Sequence, residues 1–280
     1  MNSFVGIEID GGKMYMMAET VDGYQEYTAS TGTDCTVVQL QQEIEAFVAK
    51  LPYKPSGIGM GMPGLVVGTD KVELSHVIPA LTGVTADMFA TKAQIPVAFI
   101  NDVKAATMAE AVHLTDKETA IVIMSDAFIA AGVVVSGELQ LGAKGWNGEL
   151  GYMILIVDGE PVMLDNLSSG YVIMKQTGMD DATLRERLEA GDEHVKDLVH
   201  QAGRNFGYAL TNLIHLYNPD TIVVGGSTPT YKGYMEAALA SLQEYALPEL
   251  LKCCTITTPH IQNQVIAFGA REWIRKITNL

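Results

Sequence analysis

Two hydrophobic periods alternate along this chain. "SFVGIEID", "KMYMMAE" and "GYQEYTAS" have strand character and are separated by "GG" and "VDG". Such turn dipeptides favour hairpins, so the chain is expected to open with an antiparallel section of three short strands. The period then changes. Val38, Leu40, Ile44, Phe47, Val48 and Leu51 recur at helical spacing, after Thr36 or Asp34 as a start signal. "SGIGMGMPG" reads as a small-residue strand ending in a glycine loop, "IPVAFIND" as a buried strand, and "KAATMAEAVHL" as the helix that follows it.

The theme then repeats. "TAIVIMSDAFIAAGVVVSGELQLG" reads as two strands around a bend with an "SG" turn, and beyond "GWNGELGYMILIVDGEPVMLDNLSSG" the chain turns helical. The strongest helical pattern runs from about Asp192 to Tyr217. Val195, Leu198, Val199, Ala202, Phe206, Ala209, Leu210, Leu213 and Ile214 form its apolar face, and "NPD" stops it. "TIVVGGS" is a parallel-type strand entering a glycine turn; helices are expected near "YMEAALASLQEYAL" and "VIAFGAREWIRKI". Strands followed by helices, twice over, predict an α/β chain of two related domains. We place them at residues 1–115 and 116–262, with a tight boundary near 114–118 and a C-terminal helix over 263–280 packing back on the first.

Composition narrows the function classes. The 280 residues are 48% hydrophobic and 18% charged, ordinary for a folded soluble protein. The formal net charge of −15 disfavours nucleic acid and anionic membrane surfaces as partners. Cys35, Cys253 and Cys254 show no CxxC spacing, and adjacent cysteines pair only under strain, so reduced thiols and a cytoplasmic setting are expected. The N-terminus lacks the basic start and apolar run of a signal peptide, and no stretch of about 18 apolar residues suggests a membrane span.

Several short motifs could carry chemistry. "IND" delivers Asn101 and Asp102 to the end of a buried strand, just before a helix. Capping is the commoner use of an aspartate there. The functional use is as a general base, because ligands gather beyond the carboxyl ends of such strands. "GMGMPG" lets backbone approach a ligand closely, and "GWNGELGY" sets Glu149 among glycines, where an ionised carboxylate accepts hydrogen bonds from a polyhydroxyl compound. "VVGGS" is the kind of strand-to-glycine turn that admits a nucleotide. The six histidines have no metal-ligand spacing.

In order, "VGIEIDGGK", "GIGMGMPG", "VIPALTG", "INDVKAATMAEA", "GELGY", "LDNLSSG", "NPDTIVVGGS" and "FGAREW" resemble the ROK family of repressors, open reading frames and sugar kinases, over essentially the whole chain. The resemblance implies a two-lobed actin-like ATPase (ribonuclease H-like) fold, each lobe a mixed sheet with helices. It also implies a carbohydrate kinase using ATP and Mg²⁺ on a small-molecule sugar, and a homodimer. Asp102 would be the base that takes the proton of the attacking sugar hydroxyl. Gly64, Asn101, Asp102, Glu149, Tyr152 and Asp165 would line the sugar. Glu8, Gly11, Gly12, Lys13, Gly225 and Gly226 would serve the nucleotide. The alternative is a catalytically silent relative that binds a sugar-like ligand as a sensor or partner protein.

The departures from the family pattern are specific. The family's first loop has an acid, one residue, two glycines, a Thr and a Lys. Aligned without a gap, Glu8 is the acid, Asp10 replaces the first glycine, Gly12 replaces the Thr and Lys13 is kept. A gap would make Asp10 the acid, but it would flip every strand side chain to the other face. In the second phosphate loop Asp126 and Phe128 replace glycines, and Ala127 the Thr. A carboxylate about 4 Å from a phosphate charge costs roughly 4 kcal/mol at an effective dielectric near 20, which argues against ordinary ATP binding. Magnesium could offset one such acid. Tyr152 stands where many members have His, Asp165 where a glutamate is usual, and the family's zinc cysteines are missing, so no structural zinc is expected. The repressor branch carries a winged helix ahead of its first strand. This chain starts at that strand, so direct DNA binding is not expected.

Overall fold

A computed structural model describes residues 3–21, 23–90, 94–115, 117–261 and 264–278. Two compact units emerge from the contacts. The first comprises Met1–Leu114, Leu139–Asn147 and His260–Leu280; the second comprises Thr115–Glu138 and Gly148–Pro259. Residues 116, 262, 263, 279 and 280, at the expected boundary and helix ends, lie outside the described residues.

In the first unit β1 (Phe4–Ile9), β2 (Lys13–Thr20) and β3 (Gly23–Ser30) form the antiparallel section that the turn dipeptides predict. Helix α1 (Val37–Val48) follows, started by Thr36 through a capping box with Gln39. Strands β4 (Gly57–Met62) and β7 (Val97–Asn101) then add in parallel, giving the sheet order β3-β2-β1-β4-β7. Between them β5 (Leu65–Val67) and β6 (Lys71–Leu74) form a small hairpin. Helix α2 (Asp102–Ala111) leaves the end of β7.

The alternating glycines of "GIGMGM", together with Gly6 of β1, have a packing purpose. An added Cβ at Gly6 would lie 2.0 Å from Ala267 O, one at Gly59 1.8 Å from Ala270 O, and one at Gly61 2.3 Å from the Ile266 side chain. The C-terminal helix, Val265–Thr278, therefore lies directly on a glycine floor that larger residues would lift. It also crosses α2 closely, since a Cβ at Gly269 would meet Ala105 O at 1.7 Å. The opposite face of the sheet buries Ile7, Ile9, Met14, Met16, Ile58 and Met60 with Leu40, Ile44 and Phe47 of α1. The methionines of "KMYMMAE" are core.

The second unit repeats the plan. β8 (Ala120–Ser125) and β9 (Ile129–Val135) pair antiparallel, and β10 (Glu138–Gln140), whose last two residues are counted with the first unit, extends the run to three strands where two were expected. The segment 154–163 is a hairpin of β11 (Ile154–Val157) and β12 (Glu160–Met163), and short helices α3 (Asp165–Ser168), α4 (Gly170–Thr177) and α5 (Asp181–Glu189) follow. Helix α6 (Glu193–Tyr217) has Asp192 as its N-cap and left-handed Asn218 as its C-cap. β13 (Thr221–Gly225) pairs parallel to β8; after α7 (Tyr234–Tyr245) and α8 (Pro248–Leu251), β14 (Thr255–Thr257) pairs parallel to β13. The second core gathers on α6, around Phe206, Leu210 and Tyr234.

Candidate functional site

In the first unit the candidate residues lie at the carboxyl ends of β1, β4 and β7. The expected cap of α2 is corrected by one residue. Asn101 is the N-cap, its Oδ1 accepting from Lys104 N at 3.2 Å, and Asp102 is the first helical residue. An asparagine amide offers both an acceptor for the helix and donors for its neighbours, which a carboxylate does not. Asn101 Nδ2 donates to Gly64 O at 3.0 Å and to Asp102 Oδ1 at 2.8 Å, and Val103 N donates to the same Oδ1 at 2.8 Å. The carboxylate of Asp102 is thus oriented by two donors. Gly64 has φ +111°, and a Cβ there would sit 2.1 Å from Leu74 O, so the position requires glycine.

Glu8 sits in β1 opposite Tyr15 and is only 8% exposed. Burial raises its pKa, Lys13 opposes that shift, and the charges of Asp10 and Asp102 add to it. These four charged residues therefore share one electrostatic neighbourhood. The loop between β1 and β2 is held from within. Asp10 Oδ1 accepts from Gly12 N at 2.6 Å and Lys13 N at 2.7 Å, while Thr31 Oγ1 donates to Asp10 O at 3.1 Å.

The second unit holds the remaining candidates in two groups. Gly148, at φ +90°, packs against Ala131 and sets the direction of Glu149, an exposed residue. Asp165 opens α3, and its Oδ1 accepts from Ile129 N at 2.8 Å. Burial raises the Asp165 pKa, the Ile129 bond lowers it, and nearby Glu149 raises it again. Its carboxylate lies over Gly151, where an added Cβ would fall 2.2 Å from Oδ2. Tyr152 is 60% exposed. The other group surrounds Gly225 and Gly226. Gly226 has φ +96° and lies against Ser125 O, where a Cβ would be 2.3 Å away. Asp126 joins this turn: its Oδ1 accepts from Ser227 N at 2.6 Å, and its backbone O accepts from Thr228 Oγ1 and Gly170 N. Phe128, beside it, is 59% exposed and stacks on Tyr171 with centroids 6.1 Å apart.

The ROK family profile matches residues 4–277. The chain belongs to the ROK family. It is 22% identical over 254 residues to an N-acetylmannosamine kinase of Yersinia pestis, covering 85% of this chain and 86% of that one. Its structure matches a ROK hexokinase from Thermus thermophilus with a TM-score of 0.84 at 22% identity, over 99% of this chain and 100% of the hexokinase. A ROK family glucokinase from Streptomyces griseus, solved with glucose and AMPPNP, gives a TM-score of 0.79 at 18% identity, over 98% and 99% of the two chains. The fold of this ROK protein is therefore the actin-like ATPase fold of the family's sugar kinases.

Two features of the ROK protein's first unit escaped the sequence reading. Lys104 is 3% exposed on the inner face of α2, and its Nζ donates to Asn147 O at 2.9 Å. That bond, with Leu139 and Leu141 packed beside Ile100, Met108 and Trp273, ties 139–147 to the first unit. Glu110 is 2% exposed; it accepts from His260 N at 2.9 Å, and its Oε2 lies 2.7 Å from His260 Nδ1. The long-range pairing of 110 with 260 leaves no local signal. Among the described residues, no group of three or more His, Cys, Asp or Glu is placed to hold a metal, and no helix is long and apolar enough to cross a membrane.

Proposed function

We propose that this ROK protein transfers the γ-phosphate of ATP to a hydroxyl of a small sugar, with Asp102 as the general base. The observation that carries the reading is the held carboxylate of Asp102, at the end of a parallel strand where ligands of such sheets gather. In the proposed reaction Asp102 accepts the hydroxyl proton as the sugar oxygen bonds to the γ-phosphorus. The bond from that phosphorus to the β–γ bridging oxygen breaks, and ADP leaves. Phosphoryl transfer depends chiefly on positioning and on neutralising charge, so one oriented base suffices.

The remaining roles follow the same reading. Gly64, Asn101, Glu149, Tyr152 and Asp165 contact the sugar; Glu8, Gly11, Gly12, Lys13, Gly225 and Gly226 serve the nucleotide. Mg²⁺ sites commonly use one or two carboxylates together with substrate phosphates rather than a protein cage. Glu8, buried beside Asp10 and Asp102, fits that requirement, because a divalent cation relieves the charge crowding. Mg²⁺ would supply neutralisation of the donor's phosphate oxygens. Asp165 and Tyr152, in place of the usual Glu and His, support a sugar selectivity unlike that of a glucose kinase. We place the protein in the cytoplasm as a homodimer.

The deciding measurement is ADP release in a coupled assay over a panel containing N-acetylmannosamine, mannose and glucose, with calorimetry of MgATP binding alongside. The expected result is turnover with at least one sugar, reduced about 10²–10⁴-fold by Asp102→Asn without loss of sugar binding. Sugar binding with no ATP binding under any condition would replace this reading with the sugar-sensing one.

A further inference from the structure

Two aspartates of this chain, Asp10 within the β1–β2 turn and Asp126 in the β8–β9 turn, point their carboxylates at backbone N–H groups of glycine turns. In the first unit Asp10 Oδ1 accepts from Gly12 N and Lys13 N at 2.6 and 2.7 Å. In the second, Asp126 Oδ1 accepts from Ser227 N at 2.6 Å, the first amide beyond Gly225 and Gly226. Backbone amides at glycine turns are natural donors to phosphate oxygens, since they present partial positive charge without a side chain in the way. Here each turn already holds an anion of its own. The Asp126 contact joins residues 101 positions apart.

We infer that Asp10 and Asp126 are internal anions that compete with the phosphates of the donor nucleotide for these amides, so that the charge of either aspartate limits donor affinity. The inference rests on the nucleotide-dependent reading above and adds what sets the strength of that binding. Asp126 is exposed, so its side chain has room to swing away when a phosphate arrives. A purely structural account of Asp126 is also available, because the residue ties the β8–β9 turn to the loop after β13. Charge separates the two accounts. Asparagine keeps an Oδ1 acceptor for Ser227 N and removes the charge, whereas weakening a purely structural tie would act alike on ligands with and without phosphates.

The test is isothermal titration of MgATP and of adenosine into the full-length protein and its Asp126→Asn and Asp10→Asn variants, with a thermal melt of each. Relief of one like charge near the phosphates predicts about tenfold tighter MgATP binding in each variant and a change of less than about twofold for adenosine, which carries no phosphate. Asp126→Ser, which keeps a hydroxyl acceptor, serves if Asp126→Asn does not fold and is expected to shift the same way. MgATP binding that weakens, stays unchanged, or moves in step with adenosine overturns the inference and leaves the kinase reading standing. If neither the wild type nor any variant binds a nucleotide, the kinase reading falls and the inference falls with it.

Discussion

Asn101 and Asp102 show how two adjacent residues divide one task. The asparagine spends its acceptor on the helix and its donors on Gly64 and Asp102, which leaves the aspartate oriented without being the cap. The motif "IND" was readable as a strand-to-helix junction, but which residue caps depends on backbone angles that no spacing rule supplies. Glu8 gives a sharper residue-scale expectation. Its folded pKa lies above the ordinary 4.5, chiefly through burial. As pH rises through 4.5 the unfolded chain releases this proton while the folded chain keeps it, so the group costs stability in the window from 4.5 up to its folded pKa. The full cost persists above that window. Glu8→Gln removes the titration, so its melting temperature is expected to exceed the wild type's at neutral pH, by a margin that shrinks as pH falls toward 4.5. A margin that does not change with pH would mean that packing, not charge, sets the difference.

At the scale of elements, α2 and the C-terminal helix depend on small residues. Gly269 sits inside a helix, where glycine costs about 1 kcal/mol relative to alanine. The cost is offset by close crossing, since a Cβ there would lie 1.7 Å from Ala105 O and 3.0 Å from Ala109 N. Gly269→Ala is therefore expected to destabilise by about 3 kcal/mol, the upper end for overpacking, because backbone rather than a flexible side chain must yield. Urea unfolding would read this as a lower midpoint at unchanged slope, and a stabilised variant would refute the close crossing. The strong amphipathic pattern of α6 was legible from sequence, as were β1 to β3 with their turn signals. Helix α2 was legible only from its alanines, because buried Lys104, Thr107 and Glu110 erase its amphipathic pattern. β11 and β12 were missed because Ile154, Ile156 and Met163 face solvent, so an apolar run marked no buried strand. The three residues of β14 are too few for any periodicity to register.

In the proposed reaction, the whole molecule's formal charge of −15 acts on two ligands of different charge. A sugar is neutral and its capture depends on hydrogen bonds. A nucleoside triphosphate is an anion approaching acidic groups in each unit, among them Glu8, Asp10 and Asp102 in one and Asp126 in the other. Salt screens long-range repulsion, with a Debye length of about 10 Å at 0.1 M and about 30 Å at 0.01 M. Added salt should therefore help the donor and leave the acceptor alone, opposite to the usual weakening of anion binding by salt. Between about 20 and about 200 mM KCl the KM for MgATP is expected to fall roughly two- to fivefold, while the KM for the sugar stays constant. Asp126→Asn should flatten the donor's salt dependence, because it removes one of the charges being screened. A donor KM that rises with salt would show instead that Lys13 and other cations dominate the approach, and the acidity of the surface would then concern solubility rather than ligand choice.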